Sequence, residues 1–393
     1  MKAARRSVIV TILAASGATL AFGLAALLSY FALFKLPVPF FWIALGWGAA
    51  CAGRMRRSRH PALWFNLAAG ILICGLTELA IAVGSGHSGR HQEFSAGGDF
   101  FELDRDFGIR PSPGATTESW LRDEGHLVYD VVYTIDADGL RVGPPSRDDP
   151  AEPCVLFFGC SFTFGEGVND DQTIPYVAAI EGGGRFRTLN FGFFGYGPHQ
   201  MLAAIESGRV ARAARCKPIA VVYLALSHHV MRAAGKWTWE RYGPRFVLAP
   251  DGNVVRRGNF DDGSWLPRPV DRFLRQVMAS QSLVLRGLLF GPYDASEATE
   301  DDLRLYFAII DRSRDLLHEL YPDAPFYVLY WDEKDPDLFR NRRLNYEVYP
   351  VSAILPDRGS WKPYKLDGDA HPNSLADAFI GRYVATQLLA DGR

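Results

Sequence analysis

From Ser7 to Phe34 the chain carries no charged side chain and is almost wholly apolar. A run longer than the ~20 residues needed to cross a hydrocarbon core has few soluble folds open to it, and it reads as a membrane helix. A secretory signal peptide is the rival, because Lys2, Arg5 and Arg6 precede the run. Signal h-regions are only about 7–15 residues long and no small-residue cleavage site leading into a mature domain is evident, which favours an uncleaved span. A Gly/Ala/Trp-rich run and another apolar run follow, so residues 1–84 are expected to form a membrane region with helices at 7–34, 37–53 and 62–83.

Charge sets the topology. Lys2, Arg5 and Arg6 precede the first run, Arg54, Arg56, Arg57 and Arg59 separate the second from the third, and only Lys35 lies between the first two. Basic loops stay in the cytoplasm, so three spans place everything beyond them outside. The expected location is an inner (plasma) membrane, multi-pass, with the remaining domain periplasmic or extracellular. The second run is the weakest, since a re-entrant segment there would put the two basic clusters on opposite sides. Glu78 lies near the outer end of the third run, where an acid snorkels or pairs unless it has a function.

Residues 1–90 hold nine Lys/Arg against the single acid Glu78, which leaves the remainder near −10 in a chain of net charge −2. A mildly acidic soluble part without a basic run argues against nucleic acid as a partner. The five cysteines contain no Cys-x-x-Cys and do not cluster with histidine at zinc-ligand spacing, so no metal is expected. Cys51 and Cys74 sit in apolar runs. Cys154 and Cys216 each stand just before an expected strand and can pair if the domain is exported.

Residues 85–150 read as a linker and a small β-rich lead-in, with a strand at 127–135 ending at the turn Asp136-Ala137-Asp138-Gly139. From 151 to 393, strands expected at 154–158, 186–191, 219–226 and 325–331 alternate with helices near 173–181, 199–214, 301–321 and 374–389. Continuous apolar strands joined through helices mean an α/β fold with a mainly parallel sheet covered on both faces. Residues 237–296, rich in Trp, Arg, Pro and Gly, break the alternation as an insertion able to cap a site. Trp237, Trp239 and Trp265 within it can stack on sugar rings or pack the insertion's own core.

The stretch Val155-Leu156-Phe157-Phe158-Gly159-Cys160-Ser161-Phe162-Thr163-Phe164-Gly165-Glu166-Gly167 is an apolar strand that breaks at a glycine and presents one serine. A strand ending this way in an α/β protein places the serine at the carboxyl edge of the sheet, where such folds bind ligands. A serine nucleophile needs a base, and the base needs an orienting group. Of nine histidines, His371 in Asp367-Gly368-Asp369-Ala370-His371-Pro372-Asn373 has a carboxylate two residues earlier, although a turn that only caps the last helix would read the same way.

These residues carry a resemblance. Phe158 to Gly165 resembles the first block of the SGNH/GDSL hydrolase superfamily, and Asp369-Ala370-His371-Pro372-Asn373 resembles its last. The likeness spans roughly 150–393 and implies a three-layer α/β/α, flavodoxin-like domain with esterase or acyl-transfer activity and no cofactor. It implies Ser161 as nucleophile, His371 as base and Asp369 as orienter, with Asp367 as the bracketing alternative because many relatives use a three-residue spacing that falls on Gly368. Asn190 to Gly197 resembles the second block and points to Gly195 as an oxyanion donor beside the Ser161 amide. The third block departs: Ser227-His228-His229 stands where an asparagine is usual, so His228 is the substitute donor, with a metal pair or plain loop residues as alternatives. Cys160 stands where the family usually has aspartate, and a Cys160 nucleophile is the sharper, less favoured reading. The lead-in Tyr133 to Arg141 also resembles the segment preceding this block in membrane-anchored members.

The expected function is a membrane-anchored serine esterase acting on an ester, with the bilayer and an ester-bearing small molecule, glycan or lipid as partners. An O-acyltransferase on the same scaffold and a non-catalytic acyl-glycan-binding component of an envelope assembly are the alternatives.

Overall fold

A computed structural model describes residues 92–390 apart from 98, 147–148, 263–297, 341 and 358–359, together with the isolated positions Asn66, Ala69 and Ile73. The first two expected membrane spans, the third apart from those three positions, and the insertion beyond 262 therefore lie outside the described residues. Among the described residues no helix is long and apolar enough to cross a membrane.

The lead-in consists of β1 (Gln92–Ala96), β2 (Phe101–Asp104), β3 (Gly108–Pro111), β4 (Thr116–Asp123) and β5 (His126–Thr134). Strands β1, β4 and β5 form an antiparallel sheet and β2–β3 a separate hairpin. In β5 the residues alternate, with Tyr129, Val131 and Tyr133 buried and Asp130 and Val132 exposed, the period-2 pattern of a half-buried strand. Asp136 closes the following turn by accepting from the Asp138 and Leu140 amides at 2.9 Å.

The main domain runs β6 (Pro153–Phe158), α1 (Ser161–Phe164), α2 (Ile174–Glu181), β7 (Arg187–Asn190), α3 (Pro198–Glu206), α4 (Arg209–Ala213), β8 (Lys217–Leu226), α5 (His228–Ala233), β9 (Pro244–Leu248), β10 (Val254–Asn259), α6 (Glu300–Leu320), β11 (Phe326–Trp331), β12 (Glu347–Pro350) and α7 (Ser374–Tyr383). The order β12-β11-β8-β6-β7 is parallel at every pairing. Counted by sequence this is the 2-1-3-4-5 order of a flavodoxin-like sheet, whose switch point falls between β6 and β8. Strand neighbours face opposite layers. Leu156 and Phe158 pack with α3 and α6, whereas Val155 and Phe157 pack with α2 and α7, which makes three layers.

Two expectations are corrected. The single helix over 199–214 is broken at Gly208, whose φ of +72° is left-handed and ends α3 before α4 begins. The edge strand β12 was not foreseen, since Glu347–Pro350 is largely solvent-facing and lacks an apolar run. The β9–β10 hairpin of the insertion packs against α3 and α6. Cys154 and Cys216 form a disulfide with Cα atoms 6.0 Å apart, tying the entry of β6 to that of β8. The lead-in is not an appendage: Phe100, Tyr133, Ile135 and Leu140 share one apolar cluster with Phe164 and Phe193 of the main domain.

Candidate active site

The turn after β6 is shaped by glycine. Gly159 has φ +154°, and a Cβ there would meet Thr163 Oγ1 at 2.1 Å and the Leu224 carbonyl at 3.0 Å. Without a side chain at that point the strand can bend at once into α1, so Ser161 becomes the first helical residue. Its side chain is buried at the switch point, and its amide is one of the helix-start donors that the helix itself leaves unpaired. Gly165, at φ +85°, ends the helix one turn later.

The second half of the site arrives from 210 residues away. Ser161 Oγ and His371 Nε2 are 2.8 Å apart. His371 Nδ1 is hydrogen-bonded to Asp369 Oδ1, and the same oxygen accepts the His371 amide at 2.8 Å. The loop is held from both ends: the Leu366 amide donates to the His371 carbonyl at 3.0 Å, and Asn373 caps α7 through the Leu375 and Ala376 amides at 3.1 Å. Asp369 is therefore the carboxylate at the ring. Asp367 is exposed, and Gly368 between them has φ +90°.

A second carboxylate, not foreseen from the sequence, meets the same imidazole. Glu166 Oε2 lies 3.1 Å from His371 Nε2, and its other oxygen is 3.5 Å from the Tyr129 hydroxyl of β5. The Glu166 amide donates to the Ser161 carbonyl at 2.9 Å, which fixes the residue to the serine turn. Burial by itself would lower the His371 pKa, but the charge of Glu166 and the bonds to Asp369 and Glu166 outweigh it and raise the value to about 10. Burial likewise works against the Asp369 carboxylate, yet the His371 bond holds its pKa below the usual range. The one sequence signal for Glu166 is an acid between two glycines in an otherwise apolar stretch.

On the opposite side, Asn190 ties β7 to the serine turn. Its Nδ2 donates to the Thr163 carbonyl at 2.9 Å and its Oδ1 accepts the Gly192 amide at 3.0 Å. That spends the Gly192 amide. Gly195, at φ +72°, donates its amide to no acceptor among the described residues. Arg232 of α5 holds this turn, with Nη1 2.8 Å from the Tyr196 carbonyl.

The adjacent histidines part company. His229 is fully buried with Nδ1 2.7 Å from the Tyr223 hydroxyl, so it belongs to the core. His228 stays partly exposed at the carboxyl end of β8, its ring 5.6 Å from that of Trp237. Burial, then the Lys334 and Arg232 charges, push its pKa down to about 4, which leaves a neutral ring with one N–H. Cys160 is a buried free cysteine in the same apolar cluster as Phe157, Phe162 and Leu224. Among the described residues no group of His, Cys, Asp and Glu is placed to hold a metal ion.

The lead-in braces the serine turn through Arg141, whose side chain is inaccessible to solvent. Its guanidinium donates to the carbonyls of Phe164, Gly165 and Val168 at 2.9, 2.6 and 2.7 Å and pairs with Asp170 at 3.0 Å. It also lies 4.5 Å from the Tyr133 ring centroid and 4.6 Å from that of Phe164. The Tyr133 hydroxyl accepts the Gly167 amide at 2.9 Å.

No family model and no curated protein matches the chain. Among solved structures it is similar to a protein described as lipolytic and of the G-D-S-L family from Desulfitobacterium hafniense, at 11% identity over 59% of this chain and 97% of that one, with a TM-score of 0.30. It is also similar to a carbohydrate esterase family 2 enzyme with a carbohydrate-binding domain from Corynascus thermopiles (Myceliophthora fergusii), at 13% identity over 69% and 70% of the two chains, with a TM-score of 0.32. An acetyl xylan esterase from the rumen bacterium Butyrivibrio proteoclasticus matches at 10% identity over 69% and 68%, with a TM-score of 0.33.

Proposed function

We propose that the chain is a serine esterase that hydrolyses an O-acyl ester. The observation that carries this reading is the line Ser161 Oγ, His371 Nε2, His371 Nδ1, Asp369 at the switch point of a parallel sheet. With the ring neutral, Nε2 takes the Ser161 proton as Oγ attacks the ester carbonyl, and Asp369 steadies the imidazolium that forms. The amides of Ser161 and Gly195 and the His228 N–H are the donors assigned to the developing oxyanion. His371 then returns its proton to the departing alkoxide. Water next attacks the acyl-enzyme, its proton passes through Nε2 to Ser161, and the acid is released.

Location narrows the ester. The basic clusters flanking the apolar runs support an inner-membrane anchor with the catalytic domain outside, and the Cys154–Cys216 disulfide fits an oxidising compartment. An acyl group on an envelope glycan or lipid is then the substrate within reach. Detergent-solubilised full chain should hydrolyse a chromogenic acetyl ester, and Ser161→Ala should remove that activity while leaving the thermal unfolding midpoint in place. Equal rates in the two proteins would refute the assignment. For the location, a reporter fused after Arg393 should be active only outside the cytoplasm; cytoplasmic activity would overturn the topology.

A further inference from the structure

Two groups compete for one ring nitrogen. Ser161 Oγ and Glu166 Oε2 stand 2.8 and 3.1 Å from His371 Nε2, on the edge of the ring that must receive the serine proton. Asp369 already occupies the other nitrogen, so the imidazole is clamped between two carboxylates. Glu166 has not drifted there by chance of a long side chain: its amide is bonded to the Ser161 carbonyl, and Tyr129 reaches its carboxylate from the lead-in.

Resting on the esterase reading above, we infer that Glu166 is a gate on this site: by taking the Nε2–H of His371 as its hydrogen-bond donor, it keeps the imidazole from receiving the Ser161 proton. The gate opens when the Nε2 proton is lost to solvent or the carboxylate is withdrawn. After loss of that proton, Nε2 carries a free electron pair and the Ser161 proton can transfer to it. Glu166 makes no bond to the substrate in this scheme, so it is a positioning residue acting through His371.

Among the described residues, charged groups approach the His371 loop from several elements, including Asp123 of β4, whose Oδ2 would lie 3.3 Å from a Cβ on Gly368. Asp369 comes from its own loop and Glu166 from the turn beyond α1. Asp377 of α7 lies within electrostatic reach of both Arg141 and His371, and its carboxyl is buried without a hydrogen-bond partner, which pushes its pKa up against the opposing pull of those two groups. Lys365 turns away to Glu333 at 2.7 Å. Glu166 is the carboxylate that reaches Nε2 itself, at 3.1 Å. The two carboxylates together raise the His371 pKa to about 10, and an opposite charge at this range is worth about one to three pH units.

The test is the pH dependence of kcat/KM, which reports the groups of the free enzyme. With the full chain and a chromogenic acetyl ester, the wild type should gain activity along a limb with an alkaline midpoint. Glu166→Gln should move that midpoint down by about one to three pH units and raise kcat/KM at pH 7 by about ten- to a thousandfold. Glu166→Asp, which keeps the charge on a shorter arm, should fall between the two. An NMR titration of the His371 ring in Ser161→Ala and in the Ser161→Ala/Glu166→Gln double variant should give the same displacement without any catalysis. An unmoved midpoint by either readout, with Ser161→Ala inactive, would overturn the gate and leave the esterase standing; an active Ser161→Ala would instead refute the esterase.

Discussion

Replacing Arg141 by methionine tests how the serine turn is held. Methionine keeps much of the aliphatic bulk but takes the guanidinium from the buried carbonyls of Phe164, Gly165 and Val168, of which Gly165 keeps the Val168 amide at 3.3 Å and Phe164 a 3.5 Å approach of Asn190 Nδ2, and leaves Asp170 without its cation. A buried acceptor stripped of its partner costs about 1–3 kcal/mol, and breaking a buried ion pair from one side costs about 3–5 kcal/mol. Those contributions overlap, because Asp170 keeps a bond from the Thr134 amide at 3.1 Å and is partly solvated. The net loss should be about 4–6 kcal/mol, a large share of the ~5–15 kcal/mol that holds a typical domain together. Urea unfolding of the full chain, followed by tryptophan fluorescence, measures it. Arg141→Lys keeps the charge and loses the planar fork that serves several acceptors, so it should recover only part of the difference. Because α1 carries Ser161 on the same turn, esterase activity should fall with either variant even where both remain folded. An Arg141→Met protein within about 1 kcal/mol of wild type would refute the reasoning, since it would mean that water satisfies those carbonyls equally well.

Two further outcomes follow from the same structure. The Cys154–Cys216 bond closes a separation of 62 residues, so Cys154→Ser should lower the unfolding free energy by about 4 kcal/mol in the loop-entropy account, and a reductant should shift the wild-type urea midpoint toward the variant's; an unmoved midpoint would show that the bond adds no stability. Cys160 lies in an apolar cluster, so Cys160→Ala should keep wild-type esterase activity, whereas Cys160→Asp should cost about 3–5 kcal/mol by burying an unpaired charge; loss of activity in the alanine variant at unchanged stability would make Cys160 a participant in the chemistry.

The last of these bears on what the sequence made legible. Aspartate is usual at the position of Cys160 in the family that this stretch resembles, and the departure looks like damage when read alone. In the fold it is packing, because the side chain is buried in the apolar cluster formed with α2 and α7, while the serine beside it is hydrogen-bonded to His371. Asp369 and Asp367 were likewise close rivals on spacing. The left-handed backbone of Gly368 and the bond from His371 Nδ1 separate them, and neither is visible in a string of letters.

The sequence by itself determined the local grammar: apolar strands of the right length, a glycine where β6 must bend, a serine after it, a histidine ahead of a capped helix, and alternating burial in β5. Such features depend on residues close together in the chain, where periodicity and backbone freedom act directly. Only the tertiary structure decided that Glu166 shares the ring of His371, that Arg141 of the lead-in supports the serine turn, and that His229 belongs to the core while His228 stays partly exposed beside Trp237. Each of those is an electrostatic or hydrogen-bond contact whose strength depends on burial and on which partner the fold brings within about 3 Å. Partners 24 residues apart, as for Arg141 and Gly165, or 210 apart, as for Ser161 and His371, meet only when the sheet and its layers have closed around them.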